Sequence, residues 1–165
     1  MNFAANVPIT ETSFGQIGTA LLRQFQSRGI EPAIFPVAGS ISLSSQEPSE
    51  DFERWLELCT QKSFFHDRKD PSFMLWHLSG ALQSFSEKQV LLTFHETDSV
   101  TPQEINAAKN NRTLVSSNYT ADIFASHDVK VGVIPLGFDS HNFRIINKKY
   151  FDDERITFNL CGKFE

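Results

Sequence analysis

The chain has 165 residues, with 15 Lys+Arg against 20 Asp+Glu and a formal net charge of −5. With 40% apolar and 21% charged residues it is neither disordered nor collagen-like, and its acidic balance argues against a nucleic-acid binder, which would carry a basic stripe. No apolar run approaches the ~20 residues that span a bilayer.

Sixteen Phe against two Tyr imply a core built on large rings. The opening Met1-Asn2-Phe3-Ala4-Ala5-Asn6 lacks the basic and apolar regions of a secretory signal. Cys59 and Cys161 match no metal or redox spacing, so reduced thiols, no metal site and a cytoplasmic location are expected. The sequons at Asn111 and Asn118 are then chance matches.

Short apolar runs alternate with helical periodicity, the signature of a parallel α/β sheet. A first strand covers Phe3 to Val7. A helix follows, with Phe14, Ile17, Leu21 and Phe25 on one face and Gly29 as its stop. Pro32 to Val37 is the second strand, with Pro36 expected at its end, since a proline in the ladder lacks a donor. A Ser-rich loop spans 39–50. The next helix runs from about Asp51 to Gln61, capped by Ser49, with Phe52, Trp55, Leu56 and Cys59 inward.

Phe73 to Leu78 and Val90 to Phe94 read as the third and fourth strands. Thr101-Pro102-Gln103-Glu104 has the form of a capping box with proline at the first helical position, opening a helix that ends near Lys109. Thr113 to Val115 is a fifth strand, and Ser116-Ser117 cap a helix bearing Tyr119, Ile123 and Phe124. Val129 to Ile134 is a sixth strand and Ile156 to Leu160 a seventh. These boundaries give a Rossmann-like sheet of six to seven parallel strands with helices on both faces. Residues 1–143 form its domain, 144–155 a polar linker, and 156–165 the opening strand of a second domain that the chain does not complete.

Ligands of open parallel sheets bind where the strands end and helices begin. Gly15-Gln16-Ile17-Gly18 stands at such a helix start, where two glycines either let an anion approach free amides or let the helix pack closely. His95-Glu96-Thr97-Asp98 is the densest titratable cluster, directly after the fourth strand. Its histidine either contacts a hydroxyl or phosphate oxygen beside an orienting carboxylate, or belongs to a solvated loop. His77 reads as a packing or hydrogen-bonding residue. Asp139 can cap the turn after the sixth strand, and Lys163, after Gly162, is positioned for a phosphate contact.

Taken in order, these pieces resemble the N-terminal half of a GT-B glycosyltransferase of the family 4 type. The segments concerned are Ser13-Phe14-Gly15-Gln16-Ile17-Gly18, Leu92-Thr93-Phe94-His95-Glu96-Thr97-Asp98 and Leu114 to Phe124. More specific are Val131-Gly132-Val133-Ile134-Pro135-Leu136-Gly137-Phe138-Asp139 with Phe143, similar to the family's interdomain hinge, and Phe158 to Glu165, similar to the start of its second domain. The resemblance implies a retaining, metal-independent transferase that needs no cofactor and takes a nucleotide-sugar as donor. It implies donor phosphates on the amides near Gly15 and Gln16 and on Lys163, the catalytic His95 near the transferred sugar, and Ser13, Glu96 and Asp98 on the side of a glycan, lipid or protein acceptor. The chain alone is then expected to be inactive, with dimerisation possible through its last strand. The rival reading is a complete, non-catalytic Rossmann or flavodoxin-like binding module.

Overall fold

The computed structural model describes residues 2–143, and the expected linker, seventh strand and Lys163 lie outside them. The architecture is a six-stranded, all-parallel sheet in the order β2-β1-β3-β4-β5-β6. The strands are β1 (Ala4–Ile9), β2 (Ala33–Ile41), β3 (Ser72–Leu75), β4 (Gln89–Thr93), β5 (Arg112–Val115) and β6 (Gly132–Val133). The helices are α1 (Ser13–Ser27), α2 (Glu50–Gln61), α3 (Pro102–Lys109) and α4 (Asn118–Ala125), with a 3-10 turn at Lys62–Phe65 after α2.

Helices cover both faces, so strands buried on two sides are expected to be continuously apolar, and every residue of β1 is buried. On one face Val7, Ile9, Ile34, Leu75 and Leu92 pack against Phe14 and Leu22 of α1 and Phe52, Leu56 and Cys59 of α2. On the other, Met74, Leu91 and Val115 meet Ala107 and Ala108 of α3 and Phe124 of α4. Burial pushes the Cys59 thiol up to about 11, aided by Glu31 and opposed by Lys62, so it is an inert packing group.

The expected caps are present. Ser49 accepts from the Phe52 N–H and Ser117 from the Thr120 N–H, and Thr101 and Glu104 complete a reciprocal capping box. Gly29 has a positive φ of 66°.

The boundaries differ where tertiary contacts decide them. β2 runs on to Ile41 through a bulge in which Ala38 and Gly39 are both left-handed, and Pro36 lies inside the strand opposite Val7. β2 is the sheet's edge, where a missing donor is tolerated. β3 stops at Leu75, which leaves His77 outside the strand, and β6 is only Gly132–Val133. The buried line of α1 passes through Phe14, Gly18 and Leu22, with Ile17, Leu21 and Phe25 only half-buried beside it. Gly15 and Gly18 cause this. A β-carbon at Gly15 would stand 2.3 Å from the Thr10 carbonyl oxygen, and one at Gly18 2.2 Å from that of Pro8, so α1 lies directly on the backbone of β1.

Candidate functional site at the carboxyl edge of the sheet

The chain turns one way from β1 to β2, while β3 lies on the other side of β1. The carboxyl ends of β1 and β3 therefore flank the topological switch point, where open α/β sheets take their ligands. α1 begins there. Its N-cap Thr12 makes no capping bond, because its hydroxyl pairs with that of Thr10 at 2.8 Å. The first-turn N–H groups of Ser13, Phe14 and Gly15 have no intrahelical acceptor, and no other acceptor is seen for them among the described residues. The Gln16 N–H, by contrast, donates to the Thr12 carbonyl at 2.9 Å. Of the two expected phosphate-facing amides, that of the buried Gly15 has no acceptor among the described residues and that of Gln16 is engaged.

Aromatic rings fill the β3 side of the crevice. Phe14 lies 4.5 Å from the exposed His77 ring, 4.9 Å from Phe94 and 5.6 Å from Trp76, centroid to centroid.

On the β2 side is a hydrogen-bond network for which the sequence offered only a Ser-rich run. The Glu11 carboxylate accepts from the hydroxyls of Ser42 and Ser44, and these bonds hold its pKa below the ordinary range. Gln16 Nε2 donates to Ser45 Oγ at 2.6 Å, and Gln46 Nε2 donates to Gln16 Oε1 at 2.6 Å. Asn142 Nδ2 in turn donates to Gln46 Oε1 and to Asp139 Oδ2, each at 2.8 Å. Asp139 also accepts the His141 N–H at 3.0 Å, which fulfils the expected cap. The segment after β6 is thus joined to the start of α1 across the whole sheet edge.

Arg23 supports this network from below. It is 7% exposed, its guanidinium lies 4.2 Å over the Phe52 ring, and Nη2 donates to the Glu47 carbonyl at 2.9 Å. Burial lowers its pKa, opposed by Asp139, Glu47 and Glu53. Between α1 and the 134–143 arm runs an apolar groove of about 470 Å³, lined by Ile17, Leu21, Leu92, Ile134, Phe138 and Phe143, among others.

His95 is held within the loop between β4 and α3. Its side chain is 5% exposed, Nδ1 lies 3.8 Å from Glu104 Oε1, and the ring meets that of Phe124 edge-on at 5.5 Å. Nε2 is 2.9 Å from both the Ser99 carbonyl and the Thr97 hydroxyl. In this arrangement His95 fastens the loop between β4 and α3 to the start of α3. Desolvation raises the Glu104 pKa, but the Thr101 N–H, the Thr101 hydroxyl and His95 together outweigh it and hold the carboxyl low. Glu96 and Asp98 are exposed on that loop, and Ser13 is exposed at the first residue of α1.

No group of three or more His, Cys, Asp or Glu side chains able to hold a metal occurs among the described residues, and no described helix is long and apolar enough to cross a membrane. No family model matches the chain, and neither a curated protein nor a solved structure matches it.

Proposed function

We propose that residues 2–143 form the acceptor-side lobe of a GT-B glycosyltransferase of the family 4 type, moving a sugar from a nucleotide-sugar to an acceptor hydroxyl. The observation that carries this reading is the uncapped first turn of α1 at the switch point between β1 and β3. Unpartnered amides at the positive end of a helix favour a diphosphate, and they stabilise the charge that grows on it as the sugar leaves. Ser13, Phe14 and Gly15 supply those amides. The polar network through Gln16, Gln46 and Asn142 offers donors and acceptors to sugar hydroxyls, and the groove beside α1 receives the apolar part of an acceptor. For His95 to act on the transferred sugar, its ring must leave Thr97 and Ser99.

A second reading has its own support. The order β2-β1-β3-β4-β5 is that of flavodoxin-type sheets, which hold a flavin phosphate at the same switch point. Calorimetric titration of the chain with UDP, GDP, ADP and FMN separates the two. The proposal expects at least one nucleoside diphosphate to bind. Ser13→Pro, which deletes one open N–H at a helix position that tolerates proline, weakens that binding about fivefold, the worth of one ~1 kcal/mol hydrogen bond. Binding of FMN alone favours the flavodoxin-type module, and a Ser13→Pro variant that binds diphosphate unchanged overturns the α1 site.

A further inference from the structure

At the opposite edge of the sheet, Phe64 and Phe65 are adjacent in the 3-10 turn after α2 and are 84% and 89% exposed. Neighbouring loops that lead into the strands add exposed Ile30, Leu82 and Phe85. Side-chain and backbone contacts join these loops into one surface. Lys62 Nζ bonds Glu31 at 2.5 Å, His66 Nε2 lies 2.9 Å from Ser86 Oγ, the Glu87 N–H donates to the Arg68 carbonyl at 2.8 Å, and Phe85 stacks on Phe35 at 4.0 Å. Such a cluster is larger than the scattered single apolar residues of an ordinary surface.

Cations lie on the same and adjoining loops. Lys62 precedes them, Arg68 and Lys69 follow, and Arg28 and Lys88 lie on the adjoining loops. Of these, only Lys62 has an ion pair among the described residues. Glu31, Asp67, Asp70 and Glu87 share the surface, so its excess charge is small and positive. Neither the groove beside α1 nor the recess beside Arg23 is lined by any of these residues. Two rings that stand clear of the protein, with cations on the same and adjoining loops, suit a medium that deforms around them.

We propose that this edge is a peripheral docking surface for an anionic lipid bilayer, with Phe64 and Phe65 inserting at the headgroup level and Arg68, Lys69, Arg28 and Lys88 meeting the lipid phosphates. Insertion of the two rings supplies most of the attraction, and the modest charge selects anionic over neutral lipid. The surface is distinct from the carboxyl-edge site, so it stands or falls separately from the sugar-transfer reading.

The test is co-sedimentation of the full 165-residue chain with vesicles of phosphatidylcholine, with and without phosphatidylglycerol, at low and high salt. The chain is expected to sediment with the anionic vesicles. The double substitution F64S/F65S reduces the bound partition coefficient at least about tenfold. R68Q/K69Q reduces it about threefold at low salt and not at high salt. Failure of the unmodified chain to bind anionic vesicles, or unchanged binding by F64S/F65S, overturns the proposal. So does sedimentation velocity showing a dimer that F64S/F65S dissociates while neither protein binds vesicles, since the rings then serve a protein contact. Circular dichroism of both variants verifies that they remain folded.

Discussion

The two edges of this sheet are built from the same strands and differ in how they end. At the carboxyl edge a chain of polar side chains links the loops: Glu11 to Ser42 and Ser44, Gln16 to Gln46, and Gln46 to Asn142. At the amino edge, Phe64 and Phe65 stand in solvent. The cations divide the same way, although Glu31, Asp67, Asp70 and Glu87 also lie at the amino edge. Glu50, Asp51, Glu53 and Glu104 occupy first turns of helices at the carboxyl edge. Arg23 and Arg54 apart, every lysine and arginine of residues 2–143 lies in or beside a segment leading into a strand at the amino edge. Helix dipoles account for part of this polarity, since acids stabilise helix starts and cations helix ends. They account for Arg28, Lys62 and Lys109, but not for a pair of exposed phenylalanines. What is left after the dipole argument is what points to an external partner.

Substitutions at the two edges should therefore separate stability from binding. The largest expected effect is at the carboxyl edge. Gly18→Val places a β-carbon against the Pro8 carbonyl, where backbone must move, and should cost about 3 kcal/mol, read as a lowered urea midpoint. An unchanged midpoint would mean that α1 does not rest on β1 as described. Thr101→Ala breaks the capping box beside His95 and should cost about 1 kcal/mol in the same measurement.

A pH series sharpens the contrast further. The folded carboxyls of Glu11 and Glu104 are both held low. Their contribution to stability is thus complete above an unfolded pKa of about 4.3 and is lost as pH falls through the lower folded values. Ser42→Ala with Ser44→Ala should flatten part of that acid loss in urea titrations. Equal slopes with and without the serines would show that Glu11 contributes nothing. The smallest effect belongs to the amino edge, where F64S/F65S should change folding stability by no more than about 0.5 kcal/mol. A larger loss would mean that the rings are part of the core.

Local rules settled much of the fold. Ser49, Thr101 and Ser117 could be named as caps because a cap and the N–H it accepts from are three residues apart along the chain. Short continuous apolar runs likewise located the strands, since helices cover both faces of the sheet. The ends of β2, β3 and β6 depart from the apolar pattern because pairing, not residue type, determines where a strand stops.

The candidate site was legible only in part. That α1 starts at Ser13 and presses Gly15 against β1 follows a local pattern, a helix start with glycine after a strand. The engaged Gln16 amide and the inward His95 ring were not, since each depends on which way a loop folds back. Gln46 and Asn142 carried no signal at all. They meet across 96 residues of chain, and only the order of strands brings the exit of β6 over the start of α1. Hydrogen bonds along a helix end are dictated by neighbours in the chain, whereas those across a sheet edge exist only after the strands have been assembled.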